Sequence, residues 1–246
     1  MSNVKYKIYC TLLDGFQNYL DSSEIYQKYW GFSENPAKTE DEFEQEQYQG
    51  FIDRINRVPF DSEPADKGTA FNEVIDCIID GVNSDKVQIE QSTYRGKKVI
   101  KAIYNERTFN FDTQLCKDIA GMLKGALTQQ YTQGVLSTKY GDVLLYGYID
   151  QVMPFKVVDL KTTGKYSVFK FRNNWQHKVY PYCLQQNGID IDDFEYLVTD
   201  FKKTYTETYT FKERHIQQIT AHVEQLIEFI EAHRHVITDE KIFALK

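Results

Sequence analysis

The sequence predicts a mixed α/β fold, a central mixed β-sheet flanked by helices, and three observations carry that expectation. Apolar residues recur at helical spacing near both ends of the chain and in several stretches between them. Short alternating runs bounded by Gly, Pro and Asn separate those stretches. With 246 residues, 41% of them hydrophobic, the chain can bury a sizeable core. The order helix, strands, helix, strands, helix then indicates one domain over residues 1–246.

Residues 11–32 carry Leu12, Leu13, Phe16, Tyr19 and Leu20 on one side and read as a helix. The acidic run "SENPAKTEDEFEQEQ" opens a second helix that continues through Phe51, Ile52 and Ile55, its charges forming a solvated face. Pro59 and Pro64 bracket a loop. After Gly68, "TAFNEVIDCIIDG" is helical, with Gly81 as its stop. Residues 86–111 form an added hairpin turning at Arg95-Gly96, and Asp112 caps the helix that follows. The strands "GVLSTKY", "VLLYGYIDQV" and "FKVVDLKTT" come next, with turns near Gly141 and at Met153-Pro154. Asn173 or Asn174 is expected to cap a helix kinked at Pro181. A further strand pair, "FEYLVTDF" and "TYTETYTF", precedes an amphipathic helix carrying Ile216, Ile219, Val223, Leu226, Ile227 and Ile230. These elements divide into a helical N-terminal elaboration (1–66), a core (68–211) and a C-terminal helix (212–235).

Net charge is -7, but it is unevenly spread. Residues 1–80 hold sixteen of the thirty-six acids and only seven of the twenty-nine bases, so the remainder is slightly basic. Residues 160–189 contain no Asp or Glu, and interleave Lys161, Lys165, Lys170, Arg172 and Lys178 with Tyr166, Phe169, Phe171, Trp175, Tyr180 and Tyr182. Cations alternating with aromatics suit phosphate contacts and base stacking, and they equally suit a solvated face over a core. No run of eighteen apolar residues and no leader is visible, so neither membrane insertion nor secretion is expected. Cys10, Cys77, Cys116 and Cys183 are far apart and read as reduced thiols of a cytoplasmic protein.

In "VVDLKTT", Asp159 and Lys161 share one strand face and Val158 and Leu160 the other. A hairpin symmetric about Pro154 and Phe155 sets Asp150 opposite Asp159. Two opposed carboxylates are destabilising unless a cation lies between them, and carboxylate oxygens are what Mg²⁺ selects. The alternative is an exposed salt bridge between Lys161 and Asp159, with Asp150 incidental. Gly147 leaves room for a close approach just before Asp150. Gln176 and Tyr180 stand four apart on one helix face.

Taken together, "GYID", "VVDLKTT" and "QHKVY" resemble the PD-(D/E)XK nuclease superfamily, in its RecB-like, phage-type exonuclease branch. The helix "KGTAFNEVID" is similar to that family's opening motif, with Asn72 where a histidine is expected and Glu73 beside it. The resemblance implies a restriction-endonuclease-like core and a metal-dependent DNA exonuclease serving recombination or repair. It implies that Asp150, Asp159 and the Leu160 carbonyl ligate Mg²⁺ or Mn²⁺, while Glu73, Asn72 or neither supplies a further ligand. Lys161 would orient or activate water and stabilise charge. Gln176 and Tyr180 would position the DNA strand or brace the catalytic face. Lys165, Lys170, Arg172 and Lys178 would hold flanking phosphates, with Trp175 or Tyr166 stacking on a base or sugar; His177 is a lesser candidate for phosphate. The cysteine spacing does not match the iron–sulfur cluster of some members, and no phosphate loop for a nucleotide cofactor is present. A bacterial or phage-infected cell, a single-strand annealing or recombination protein, and a homo-oligomer are the setting and partners the resemblance suggests. A structure-specific nuclease or endonuclease would use the same face. A catalytically decayed DNA-binding protein and a structural adaptor are the competing classes.

Overall fold

The computed structural model describes residues 4–244. The chain runs β1 (Val4–Tyr9), α1 (Cys10–Leu20), α2 (Ser22–Trp30), α3 (Glu40–Ile55), α4 (Glu63–Asp80), β2 (Gln88–Tyr94), β3 (Lys97–Tyr104) and β4 (Arg107–Asp112). It continues through α5 (Thr113–Met122), β5 (Leu127–Thr138), β6 (Gly141–Val152), β7 (Lys156–Thr162), α6 (Gln176–Gln186), β8 (Asp193–Thr199), β9 (Thr204–Thr210) and α7 (Arg214–Ala232). A mixed sheet is ordered β1-β6-β7-β8-β9, with β5 also paired to β6, and β2-β3-β4 form a separate antiparallel sheet. The β1/β6 and β7/β8 pairs are parallel, whereas β5/β6, β6/β7 and β8/β9 are antiparallel. The chain therefore has a mixed central sheet flanked by helices.

Helix boundaries follow local chemistry. Thr39 and Glu42 close a capping box at the start of α3, each bonding the other's backbone N–H. Ser62 caps α4, so that helix begins before Gly68 and takes Pro64 into its first turn, where a missing N–H is harmless. Gly81 ends it in the left-handed region at φ +67°, as expected. Asp112 accepts the Leu115 N–H and caps α5.

Two cores sandwich the sheet. On one side α1, α6 and α7 bury Leu12, Phe16, Val179 and Leu226 against Ile8, Leu145 and Phe194. On the other, Phe71, Val74 and Ile75 of α4 and Ile119 of α5 pack on Val158, Leu160 and Leu197, and on Phe109 and Phe111 of the small sheet. That placement makes β7 buried on both faces, where the sequence suggested one apolar and one open face.

Other expectations are corrected. Residues 4–20 are no addition to the core, because β1 joins the central sheet beside β6 and α1 packs into the first core. The helix expected over 11–32 is two helices meeting at Asp21. The hairpin of 86–111 has a third strand, turned by Asn105 and Glu106 with φ of 47° and 62°. Neither Asn173 nor Asn174 caps α6. The Trp175 N–H that opens it donates instead to Asp14 Oδ1 of α1 at 2.5 Å, an acceptor far away in sequence. The helix then runs on through Pro181.

Two buried histidines tie the helices to this frame. His222 stacks on Trp175 with centroids 4.0 Å apart, its Nε2 3.1 Å from the Leu13 carbonyl. His177 stacks on Tyr209, with Nδ1 3.3 Å from the Tyr196 hydroxyl. Burial holds His222 down to about 4 and His177 down to about 3, so both are neutral in the folded protein at pH 5. The unfolded chain protonates them below about 6.5, which draws the equilibrium toward unfolding as pH falls from there toward 4. Relative to His222→Phe, the native protein should lose on the order of 2 kcal/mol between pH 6.5 and pH 4 in urea titrations. A difference that stays flat with pH would contradict this.

Candidate active site

The site is built on a discontinuity in the pairing of β6. Strand β5 runs along one edge of β6 from Gly141 to Val152, so β1 and β7 must share the other edge. There β1 pairs with Asp142–Tyr146, while β7 pairs with Gln151 and Val152 alone. Gly147 to Asp150 are left without a strand partner on that side. Even the β5 ladder skips the pair Gln129/Asp150, where Gln129 adopts φ +49°.

Buried backbone groups must find partners, and side chains take over in the gap. The Tyr180 hydroxyl donates to the Tyr148 carbonyl at 2.9 Å. Asp150 Oδ2 accepts the Leu160 N–H at 3.1 Å. Tyr180 reaches its carbonyl because residue 147 is glycine: a Cβ there would lie 2.9 Å from Tyr180 Cε1. The close approach inferred at Gly147 is therefore the seat of the Tyr180 ring. Behind it, Asp76 of α4 accepts from Gln151 Nε2 and Gln129 Nε2, both at 2.9 Å, and so clamps both flanks of the irregularity at Asp150.

On β7, Asp159 and Lys161 meet Gln176 at the start of α6. Gln176 Nε2 donates to Asp159 Oδ1 at 2.6 Å and its Oε1 accepts from Lys161 Nζ at 2.7 Å. Lys161 Nζ also lies 2.8 Å from Asp159 Oδ2. The glutamine thus locks the acid and the base into one geometry. From the other side, α4 comes close because a Cβ on Gly68 would lie only 2.9 Å from Thr162 Oγ1. This brings Asn72 Nδ2 to within 3.2 Å of the Leu160 carbonyl, while Asn72 Oδ1 is buried with no donor.

Asp150, Asp159, Leu160, Lys161, Gln176 and Tyr180 line one cleft, together with Asn72, Thr11 and Tyr148. Burial, reinforced by the charge of Asp159, pushes Asp150 up to about 8, against the pull of Lys161 and the Leu160 N–H. For Lys161, burial alone would favour the neutral amine, but the charges of Asp159 and Asp150 outweigh it and raise the pKa. The lysine is a fixed cation. The oxygens of Asp150, Asp159 and Leu160 and the unpartnered Asn72 Oδ1 are hard donors of the kind Mg²⁺ and Mn²⁺ take. The fit rests on these mixed donors, since among the described residues no group of three His, Cys, Asp or Glu is arranged for a metal.

Several expected site residues lie elsewhere. Glu73, one position on from Asn72, is rotated out of the cleft and accepts from Ser84 Oγ at 2.6 Å. Trp175 is buried between His222 and Lys178 Nζ, which sits 4.0 Å from a tryptophan ring centre, so it offers no face for stacking. Tyr166 stacks on Tyr205. His177 is buried and neutral and does not line the cleft. Lys165, Lys170 and Arg172 are exposed between β7 and α6, outside the cleft wall, where Lys170 Nζ bonds the Lys165 carbonyl. Tyr148, Thr11 and Asp76 were not anticipated. Asp76 follows Asn72 by four positions on the same helix face, a spacing that marks the pair in the sequence.

No protein-family model and no curated protein matches the chain. A solved structure described as the crystal structure of SSO0001 is similar with a TM-score of 0.46 and 11% sequence identity, covering 93% of this chain and 79% of that one. Among the described residues no helix is long and apolar enough to cross a membrane.

The Asp150 carboxyl sets a pH signature. Between its ordinary value near 4 and about 8, the folded protein holds a proton that the unfolded chain has lost, so stability falls as pH rises through that window. Asp150→Asn keeps an acceptor for Leu160 and removes the titration. In EDTA, melting temperatures of the native protein should fall relative to the variant from pH 6 to pH 8, and parallel curves would refute the assignment.

Proposed function

We propose that the chain is a metal-dependent deoxyribonuclease with a PD-(D/E)XK-type core, acting as an exonuclease at duplex ends in recombination or repair. The observation that carries the reading is the meeting, at one gap in β6, of two carboxylates and a lysine held in place by one glutamine. Asp150, Asp159 and the Leu160 carbonyl would hold Mg²⁺ or Mn²⁺, with Asn72 Oδ1, rather than Glu73, completing the oxygen set. Such an ion supplies Lewis acidity at a phosphoryl oxygen and a more acidic water.

The residues themselves do the rest. Lys161 stays charged, so it does not remove a proton. It is ion-paired to Asp159 at 2.8 Å and donates to Gln176, which leaves N–H capacity for the attacking water or a phosphate oxygen, where negative charge grows. Gln176 fixes the direction of that donor. Tyr180 acts as a brace through Tyr148 and not as a strand contact. Lys165, Lys170 and Arg172 stand ready for phosphates flanking the cleft.

Purified protein is incubated with end-labelled linear duplex, single strands and closed circles, in Mg²⁺, Mn²⁺ or EDTA. Metal-dependent loss of linear DNA is expected, reduced roughly a hundred-fold or more in Asp159→Ala and Lys161→Ala. Cut circles would indicate an endonuclease. Salt-sensitive binding without cleavage in any metal would indicate a decayed nuclease, and neither activity nor binding an adaptor. In thermal melts at pH 8, Mn²⁺ should stabilise the native protein and leave Asp150→Asn unchanged; equal shifts in both would move the metal away from Asp150.

A further inference from the structure

A row of tyrosines leaves the cleft across an uncovered part of the sheet. Tyr148 on β6 lines the cleft and is 60% exposed; its cross-strand partner Tyr131 on β5 is 52% exposed. Their rings lie 5.4 Å apart, Tyr146 follows 6.5 Å from Tyr131, and Tyr9 of β1 follows 6.4 Å from Tyr146. Register sets all four on one face: Tyr131 faces Tyr148, and Tyr146 faces both Gln133 and Tyr9. Helices α4 and α5 cover this side of the sheet over Val158, Leu160 and Leu197 of β7 and β8, and their core does not extend over β6, β5 or β1. Tyr148 and Tyr131 are thus kept open to water beside the cleft, and the line continues through the half-buried Tyr146 and Tyr9.

We propose that this face binds an unpaired strand of DNA on its way to or from the cleft; the proposal rests on the nuclease reading above. Aromatic faces accept any base, while cations alongside take the phosphates. Tyr6 and Ile8 point into the core, so Lys7 shares the outward face of β1 with Tyr9, while Lys5 lies exposed at a register shift between Val4 and Tyr6. Arg57, itself ion-paired to Asp239, closes the far end, its guanidinium 4.9 Å from the Tyr9 ring centre and donating to the Tyr146 hydroxyl at 2.7 Å. Among the described residues, these three strands carry two acids, Asp142, which accepts from Ser137 Oγ, and Asp150 in the cleft itself. A duplex would present stacked pairs and phosphates, leaving the rings without base faces to meet; an unpaired strand uses both the rings and the cations. Because Tyr148 belongs to the row and to the cleft, a strand on the platform is continuous with one at the site.

The test measures binding in EDTA, so that no cleavage is needed. Fluorescein-labelled oligo-dT and a duplex of equal length are titrated with native protein, Tyr131→Ala and Tyr131→Phe by anisotropy. Tyr131→Ala should weaken oligo-dT binding roughly five-fold or more, Tyr131→Phe should retain it, and duplex binding should be unchanged in both. Unchanged oligo-dT affinity in Tyr131→Ala, equal loss on duplex, or equal loss in Tyr131→Phe would overturn the platform. Tighter binding of oligo-rU than of oligo-dT would overturn the assignment to DNA. A protein that binds oligo-dT through Tyr131 but cleaves nothing in any metal would sink the nuclease reading alone. An active nuclease with an unaffected Tyr131→Ala would sink the platform alone.

Discussion

The handover of one edge of β6 from β1 to β7 is the constraint on which the rest of the molecule depends. A continuous ladder there would satisfy every backbone group and leave no opening. Instead Gly147 to Asp150 lie between two neighbours, and the sheet forks. The fork has to be closed by side chains, because buried carbonyl and amide groups cannot go unpaired without a penalty of about 1–3 kcal/mol each. Tyr180 closes one side and Asp150 the other. Each requirement reaches outward: Tyr180 needs Gly147, α6 needs the cap from Asp14, and α1 is positioned by β1. The cleft is thus supported by chain segments more than 150 residues apart, since the Asp14–Trp175 contact alone spans 161 positions.

Electrostatics explains why so polar a group survives in a doubly buried strand. Isolated, either Asp159 or Lys161 would be costly beneath α6; paired and bridged by Gln176, each has its charge answered and its direction fixed. Asp150 lacks a cation of its own. Its carboxyl is raised toward neutrality by burial first and by the charge of Asp159 second, and the pull of Lys161 does not offset them. The folded protein therefore holds Asp150 toward its neutral form beside the charged pair of Asp159 and Lys161. Replacing Asp150 by an apolar residue would relieve that burial but leave the Leu160 N–H without its acceptor. The acid is at once part of the fold and a source of strain within it.

Much of this site was legible because strand and helix periods are short-range. Alternation along "VVDLKTT" placed Asp159 with Lys161, the four-residue spacing joined Gln176 to Tyr180, and the glycine before Asp150 signalled a close approach. Capping at Asp112 and Gly81 was equally local. What escaped was long-range. β1 has only six residues and continues directly into α1 without a turn, so nothing separates it from a helix start. Asp14 caps a helix that begins 161 residues later, and no local pattern encodes that. Trp175 sits among lysines and aromatics that read as a nucleic-acid surface, yet its ring belongs to the core; composition reports what a segment contains and not which way each side chain turns. Glu73 and Asn72 differ by a single helical step of about 100°, which is enough to take one to Ser84 and the other to Leu160.

The two sides of the sheet also explain why chemistry and recognition would occupy different strands. Where α4 and α6 enclose the sheet between them, side chains are dry, a lysine and two acids interact strongly, and Gln176 and Asp76 can hold a fixed geometry. Where that cover stops, at β6, the same sheet continues as open rows of tyrosine, with Lys5 and Lys7 in water. On the proposed function, charges there would attract phosphate without the desolvation that sharpens the cleft, and rings would accept bases of any identity. The boundary between the regimes falls at Tyr148, whose carbonyl is held inside by Tyr180 while its ring faces solvent. On the proposed function, a strand crossing that residue would pass from loose, sequence-indifferent contact into rigid alignment, the order of events that hydrolysis of a polymer requires.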